Sequence, residues 1–207
     1  MAGIFVAAAL HTLAQGFVFD QQSATGPVPV LGNGNADGLN IQPAPLTQSF
    51  TPSLSAIGFV QLELADIPGN GNNGATVYVK LWTGSPNINF PTATLLGSTA
   101  PVYMPNGFNN NNLLVAGIAD FYFSTPVPLT AGQAYYLQPV VLSGDNPWDI
   151  IAIGDTYPDG QLFVGGAGFS TDLWFREGVV PEPSSLALVG LSGLFFFAIK
   201  KPNLTLH

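Results

Sequence analysis

The chain has 207 residues, of which 8% are charged and 47% are hydrophobic, and it contains 24 glycines, 18 prolines and no cysteine. The frequent glycines and prolines exclude a coiled coil or a bundle of long helices, and the lack of cysteine excludes disulfides and cysteine-ligated metal sites. Four Lys and Arg against twelve Asp and Glu give a net charge of -8, which excludes nucleic-acid binding as a main role because a phosphate backbone requires a basic surface.

The chain begins with an uncharged apolar run, residues 3–10, followed by Thr12-Leu13-Ala14. Small residues three and one positions before a cut after Ala14 are typical of a signal-peptide cleavage site. The usual basic residues before the apolar run are missing, and the alternative is a buried first strand or helix. We predict a signal-peptide-like segment over residues 1–14, and hence export of the rest of the chain.

A segment rich in asparagine follows shortly afterwards. Asn33, Asn35 and Asp37 place oxygen-bearing side chains at alternate positions before a glycine, as at the start of a calcium-binding loop. The twelfth position of such a loop would be Ala44 instead of a glutamate, so the segment is not an EF-hand. The competing interpretation is ordinary turn chemistry. We therefore expect no cofactor, with a structural calcium ion at these three residues as the alternative.

Between residues 17 and 178, short segments alternate between apolar and polar residues and are bounded by Gly, Pro or Asn. This period of two predicts β-strands, whereas no segment keeps the 3.6-residue period of a helix. The predicted strands lie at residues 17–19, 48–50, 57–64, 76–82, 119–123, 134–142, 149–153, 161–164 and 172–177. Pro126 and Pro128 are expected to end the strand at 119–123.

The alternation assigns each side chain of these strands to a face. The side chains expected to face inward are Val60, Leu62, Leu64, Val77, Val79, Leu81, Leu173 and Phe175. Those expected to face solvent are Gln61, Glu63, Tyr78, Lys80, Trp82 and Trp174. Asn70-Gly71 and Asn73-Gly74 are suited to a tight turn, so the strands at 57–64 and 76–82 are expected to form a hairpin.

Eight to ten short strands with turn-forming connections predict an all-β fold, an antiparallel β-sandwich over residues 17–178. Alternation with one polar face favours antiparallel pairing. Residues 48–52, 57–64, 121–136 and 172–176, in this order, resemble a jelly-roll module of the kind that is similar to carbohydrate-binding domains of exported bacterial proteins. The resemblance implies a jelly-roll-like fold and names no ligand, because one fold hosts many functions.

Aromatic side chains that face solvent are candidates for stacking on sugars. Strand parity puts Trp82 and Trp174 outward, and Trp148 and Tyr157 lie in predicted loops, a usual place for binding sites. The competing interpretation of each ring is packing in the interior, since tryptophan is usually largely buried. If the predicted β-sandwich, residues 17–178, which we call the body of the protein, binds carbohydrate, we predict that these four rings are the stacking residues.

The residues needed for most catalytic chemistry are absent from the body. Both histidines, His11 and His207, lie near the termini, so a processed body would lack the usual group for acid–base catalysis, a Ser–His–Asp triad or a metal site. Two carboxylates would suffice for a glycosidase, and Glu63 and Glu177 are the two glutamates between the terminal segments. We predict a non-catalytic protein, with a small glycoside hydrolase as the less favoured alternative.

The chain ends with an uncharged apolar segment, residues 186–199, followed by Lys200 and Lys201. With the two preceding serines it would form a single hydrophobic helix of about 24 Å, which is short against roughly 30 Å of hydrocarbon. The two lysines are predicted to act as the membrane stop and to place residues 202–207 in the cytoplasm. The competing interpretation is a buried core helix.

The residues before this segment carry a second resemblance. Val180-Pro181-Glu182-Pro183, the glycine-containing apolar span and the basic end are similar to the PEP-CTERM sorting signal of Gram-negative bacteria, which would cover residues 180–201. The resemblance implies that an exosortase, a membrane protease of cells that make exopolysaccharide, recognises Pro181, Glu182 and Pro183 and cuts near them.

Together, these features predict an exported, non-catalytic protein of the cell surface or extracellular matrix. Its expected partners are an exosortase-like protease, the inner membrane as a transient intermediate, and exopolysaccharide. The alternative is a carbohydrate-binding module with a defined sugar site. Residues 15–179 hold eleven acidic and two basic residues, a balance that favours solubility outside the cell.

Overall fold

The structure is a computed structural model that describes residues 16–23, 36–40, 45–66, 73–84, 93–108, 117–144 and 148–181. The predicted signal segment at residues 1–14, the apolar C-terminal segment and its two lysines lie outside these ranges. One compact unit spans Val18–Val179. A second unit consists of Met1–Phe17 and Val180–His207, of which only residues 16–17 and 180–181 are described.

The described residues form fourteen strands, which confirms the predicted all-β class. They are β1 (Val18–Gln22), β2 (Ala36–Asn40), β3 (Leu46–Phe50), β4 (Ala56–Asp66), β5 (Ala75–Trp82), β6 (Leu95–Ser98), β7 (Val102–Met104), β8 (Gly117–Pro128), β9 (Tyr135–Gly144), β10 (Trp148–Gly154), β11 (Leu162–Val164), β12 (Ala167–Phe169), β13 (Thr171–Leu173) and β14 (Phe175–Val179).

The first sheet is built around the long strand β4. Along one side β4 pairs with β8, and along the other it pairs first with β14 and then with β10. The strand β1 pairs with β14, while β2 and β13 both pair with β10. Every pairing is antiparallel, as the alternating sequence predicted.

The second sheet has the order β12-β11-β3-β9-β5-β6, and β7 also pairs with β5. The strand β5 is bound along its length by β9, and on its other side by β7 and β6 in succession. All of these pairings are antiparallel as well.

Both sheets contribute to one hydrophobic core, so the body is a β-sandwich. The core includes Phe121 and Phe175 from the first sheet and Phe50 and Leu81 from the second, each with no exposed surface. All eight side chains predicted to face inward lie in this core, because a strand with period-two apolar residues can bury only one of its faces against the opposite sheet.

Two details of the predicted strands are wrong. The strands β4 and β5 do not form a hairpin, because they lie in different sheets. The strand β8 does not stop before Pro126 but continues to Pro128. Its register with β4 jumps from Tyr122 to Val127. Pro126, which has no N–H to donate, therefore lies in an irregular stretch where no ladder hydrogen bond is required.

Gly74 has a different role from the turn position that its Asn-Gly sequence predicted. A Cβ at Gly74 would lie 2.0 Å from the carbonyl oxygen of Met104, and one at Gly144 would lie 2.0 Å from the carbonyl oxygen of Gly74. These two glycines allow the ends of β5, β7 and β9 to approach one another closely.

The solvent-facing assignment of Gln61 and Glu63 is also wrong. Gln61 is 7% exposed and Glu63 has no exposed surface. The amide nitrogen of Gln61 donates to the Asp120 carboxylate at 2.8 Å. On the same outer face, the rings of Phe19 and Phe59 meet edge to face at 5.7 Å. Both faces of β4 are buried because this central strand is flanked by strands with large side chains on each side.

Four short strands, β2, β6, β7 and β12, were not predicted from the sequence. They have three to five residues each, too few for an alternating pattern to stand out. No helix among the described residues has the length and apolar character needed to cross a membrane.

The core arrangement predicts that substitutions at two adjacent residues of β8 lower the free energy of unfolding by different amounts. Phe121 is fully buried, whereas Tyr122 is 43% exposed on the outer face. Phe121→Ala is expected to lower the free energy of unfolding by about 3–5 kcal/mol, because it removes buried apolar contacts and leaves a cavity. Tyr122→Ala, the matched control, is expected to change it by less than about 1 kcal/mol. Urea denaturation, monitored by tryptophan fluorescence, measures both changes. Equal losses of unfolding free energy would contradict the assignment of Phe121 to the core and Tyr122 to the outer face.

Candidate functional site

The outer face of the second sheet carries a group of partly exposed aromatic rings, which we call the aromatic face. Its members are Tyr78, Trp82, Tyr103, Tyr136 and Phe163. They belong to β5, β7, β9 and β11, and they point away from the core because the alternating residues of these strands point into it. The most exposed of them is Tyr103, at 66%.

The ring of Trp82 is held in place by its neighbours on β5 and β9. Its register partner on β9 is Tyr136, and its indole Nε1 donates a hydrogen bond of 3.0 Å to the amide oxygen of Gln138. The ammonium nitrogen of Lys80 lies 5.9 Å from the Trp82 ring centroid and 5.7 Å from that of Tyr78. These cation–π contacts and the hydrogen bond fix the plane of the indole while leaving part of it exposed.

The aromatic face extends across several strands. Tyr136 and Phe163 have their ring centroids 5.8 Å apart, and they meet over β3, which lies between β9 and β11 in the sheet. From β11 to β5 there are three strand spacings, so the row Phe163, Tyr136 and Trp82 covers roughly 14 Å. A row of flat apolar surfaces with an amide and an ammonium group beside it can contact an extended chain of sugars.

The four rings predicted from the sequence as stacking residues differ in their exposure to solvent. Trp82 is partly exposed on the aromatic face, as predicted. Trp174 has no exposed surface and Tyr157 is 4% exposed, so the prediction that these two rings are available for stacking is wrong. The side chain of Trp148 lies outside the described residues, although its backbone pairs with β4.

Trp174 does point outward from the first sheet, between the inward-facing Leu173 and Phe175, but it is covered there. The guanidinium carbon of Arg176 lies 5.0 Å from the Trp174 ring and 5.4 Å from the Phe19 ring. Arg176 thus covers Trp174 and is itself packed against the partly exposed ring of Phe19, an arrangement that the parity of the strand could not reveal.

Tyr157 is an internal anchor. Its hydroxyl accepts a hydrogen bond from the backbone N–H of Thr51 at 3.0 Å and donates one to the Gln21 side chain at 3.1 Å. Its ring meets Phe175 edge to face at 5.4 Å. Burial raises the pKa of this phenol to about 12, so it stays neutral and fixes the loop in which it lies.

The same loop is fixed by a second buried group, Asp172. Its carboxylate accepts hydrogen bonds from the backbone N–H groups of Thr156 and Tyr157 at 2.9 and 2.8 Å, and from the Gln48 side chain at 2.9 Å. Burial raises the pKa of Asp172, and the hydrogen bonds oppose this change. These three hydrogen bonds offset the free-energy cost of burying the carboxylate, and they hold the loop in one conformation.

Tyr78 lies on the outward face of β5, as predicted, while three further stacking candidates, Tyr103, Tyr136 and Phe163, were not predicted from the sequence. A signal was present for Tyr136, which alternates with the buried Tyr135 and Leu137 along β9. For Tyr103 and Phe163 there was no such signal, because β7 and β11 have only three residues each.

The two glutamates considered for hydrolysis lie on opposite faces of the first sheet. Glu177 is the register partner of the core residue Val60 and therefore points inward. Glu63 lies between the core residues Leu62 and Leu64 and therefore points outward. Neither has exposed surface, so they do not form the pair of accessible carboxylates that a glycosidase requires.

The predicted calcium-binding segment is only partly described. Asn33 and Asn35 lie outside the described residues, and Asp37 lies in β2, where its backbone pairs with Ala152. The backbone at Asp37 is thus part of a sheet and not of a loop. Among the residues that the structure describes, no three His, Cys, Asp or Glu side chains are grouped so as to hold a metal ion.

Comparison with protein families gives a match at the C-terminus. Residues 179–201 match the family model of the PEP-CTERM protein-sorting motif, which confirms the resemblance inferred from Pro181, Glu182 and Pro183. The motif indicates an exported protein that an exosortase sorts at the membrane toward the cell surface. The matched range begins at Val179, the last residue of β14. A search against curated proteins returned no match.

The buried glutamates predict how stability depends on pH. Burial raises the pKa of Glu177 from 4.5 to about 8, with a further contribution from the Asp20 carboxylate, and burial raises that of Glu63 to about 7. Above pH 4.5 the unfolded chain loses these protons, whereas the folded chain keeps that of Glu63 up to about pH 7 and that of Glu177 up to about pH 8. The free energy of unfolding is therefore expected to fall in this range, by on the order of 1 kcal/mol per pH unit and group.

Glu177→Gln mimics the protonated side chain and removes one of these contributions. The variant is expected to be about as stable as the parent near pH 4.5 and more stable at pH 8. Denaturant unfolding at four pH values measures the difference, with Asp159→Asn, which changes an exposed carboxylate, as the control. A stability difference between Glu177→Gln and the parent that is the same at all pH values would contradict a buried protonated carboxyl.

Proposed function

We propose that this protein is a non-catalytic component of the cell surface or extracellular matrix that associates with exopolysaccharide after it has been sorted by an exosortase. The observation that carries the proposal is the aromatic face, on a protein whose sorting motif indicates export. A signal-peptide-like segment at residues 1–14 and a membrane stop at Lys200 and Lys201 would hold the chain at the inner membrane before sorting.

The chemistry of the aromatic face suits polysaccharide. Aromatic rings contact the apolar C–H surfaces of sugars, and amide or ammonium groups at their edge bond to hydroxyls. On this face Gln138 and Lys80 supply such groups beside Trp82. The eleven acidic and two basic residues between positions 15 and 179 would repel a strongly anionic polymer, so a neutral polysaccharide is favoured.

Two features support a non-catalytic role. The segment from residue 15 to 179 contains no histidine, and its two glutamates are buried on opposite faces of the first sheet. With neither group available, binding and not turnover is the function that the body best supports. We also propose that no cofactor is required.

The second candidate is a carbohydrate-binding module with a defined sugar site. Two antiparallel sheets that share one core are compatible with the jelly-roll-like fold proposed from the sequence, which is similar to such modules. The row of mutually tilted rings on the aromatic face favours contacts along a polymer, whereas a module of this kind would hold individual sugar units in a concave site.

Binding to polysaccharide is expected to depend on Trp82 and Tyr136. Full-length protein, in a zwitterionic detergent without a sugar headgroup, is mixed with insoluble neutral polysaccharides such as cellulose, curdlan and starch, and the bound fraction is measured. Trp82→Ala and Tyr136→Ala should each weaken binding at least tenfold, because each removes a stacking surface. Tyr122→Ala, on the outer face of the other sheet, is the control. Unchanged binding by both variants, or no binding by the parent, would contradict the assignment.

Sorting is expected to depend on Glu182. Glu182→Ala should leave the protein uncut and in the inner-membrane fraction of cells that contain an exosortase, because the motif would lose its carboxylate. Immunoblots of membrane and culture-medium fractions measure the cut. Asp159→Ala, which removes an exposed carboxylate of the body, is the control and should be processed normally. Normal processing of the Glu182 variant would overturn this role.

A further inference from the structure

We infer that a cleft at the edge of the sandwich, which we call the end cleft, binds the terminal unit of a neutral polysaccharide chain. This inference rests on the proposed association with polysaccharide, but it concerns residues separate from the aromatic face. The end cleft has a volume of about 460 Å³ and is lined by Asp155, Thr156, Gln161, Phe169 and Ser170, among others. This volume is within the range of small-molecule sites.

One wall of the end cleft is an exposed aromatic ring. Phe169 is the last residue of β12, an edge strand that pairs with β11 through a two-residue turn at Gly165-Gly166. The Phe169 side chain is 46% exposed, although its register partner Leu162 is buried in the core. The hairpin thus carries an apolar ring past the end of the core to the side of a polar cleft, where the face of a sugar ring can stack on it.

The other walls offer hydrogen-bonding groups that match a sugar. Asp155 supplies a carboxylate, Gln161 an amide and Ser170 a hydroxyl, and all four of the polar lining residues named above are exposed. The Thr156 hydroxyl donates to the carbonyl oxygen of Ser23 at 2.9 Å and can accept a hydrogen bond from a sugar hydroxyl. Neighbouring sugar hydroxyls can donate to the carboxylate and exchange hydrogen bonds with the amide. The polar lining disfavours lipid. No Lys, Arg or His is among the described residues that line the cleft, so an anionic ligand would find a carboxylate and no counter-charge.

The walls of the end cleft are fixed before any ligand arrives. The loop that carries Asp155 and Thr156 is held by the buried Asp172 through two backbone N–H groups. Gln161 is held by Ser49, which donates its backbone N–H to the Gln161 carbonyl at 3.0 Å and accepts the Gln161 N–H at its hydroxyl at 2.9 Å. A preformed site loses little entropy on binding.

The shape of the end cleft distinguishes it from the aromatic face. The aromatic face is a row about 14 Å long, which suits several consecutive sugar units, whereas the end cleft is a single concavity beside one ring. A concavity of this kind accepts a chain end more readily than the middle of a long polymer. We therefore assign it the terminal, neutral sugar unit and not an internal segment.

The test is titration calorimetry of the full-length protein with neutral oligosaccharides of two to six glucose units, joined by β-1,3, β-1,4 or α-1,4 bonds. The detergent is zwitterionic, because glycoside detergents would compete for the site. Phe169→Ala should weaken binding at least tenfold, since the stacking wall is lost. Asp155→Asn keeps the shape of the side chain and removes its charge, and it should weaken binding at least fivefold. Trp82→Ala is titrated in parallel to report on the aromatic face, and Tyr122→Ala, on the outer face of the first sheet, is the control that should change the affinity less than twofold.

Each alternative outcome has a distinct meaning. If the parent protein binds none of these oligosaccharides, or if neither cleft variant weakens binding while both keep the parent's thermal unfolding midpoint, the assignment of the end cleft is overturned. If only Trp82→Ala weakens binding, the proposed function stands and the end cleft is overturned. If the cleft variants weaken oligosaccharide binding while Trp82→Ala leaves binding to insoluble polysaccharide unchanged, the end cleft stands and the role of the aromatic face fails.

Discussion

The two sheets are joined in the interior by a buried hydrogen-bond pair between Gln48 of the second sheet and Asp172 of the first. The Gln48 amide donates to the Asp172 carboxylate at 2.9 Å and accepts the backbone N–H of Leu173 at 2.8 Å. Both side chains have no exposed surface. Since unpaired buried polar groups are costly, this pair has one favourable arrangement, and it fixes how the two sheets meet. The position of the Tyr157 loop follows from it.

Two surfaces of different geometry result from this arrangement. The aromatic face requires only that β5, β9 and β11 keep their register, since alternation then places every second side chain outside. The end cleft requires in addition the buried contacts of Asp172 and Tyr157, which fix a loop that has no regular secondary structure. The two surfaces therefore differ in shape: one is a row of rings on the outer face of a sheet, and the other is a single concavity beside one ring.

The sorting motif follows directly on the body. The first and last strands are neighbours, with Val18 paired to Val179, and the matched motif begins at Val179. The start of β1 and the end of β14 therefore lie side by side at one end of the first sheet. The core cluster extends from Leu46 to Phe175, so removal of either terminal segment takes no residue from it. This connectivity is compatible with a chain that is processed at its ends after the body has folded.

The amino-acid sequence by itself determined the all-β class, the strands with long alternating patterns, their inward faces and the sorting motif, because each of these is a local signal. Only the tertiary structure decided which strands pair and which outward side chains are buried. Glu63 and Trp174 alternate like surface residues, yet both are covered. Arg176 and Phe19, which lie over Trp174 and Phe59, are distant from each other in the chain. The period of a strand encodes the direction of a side chain, whereas its exposure depends on what the rest of the fold places above it.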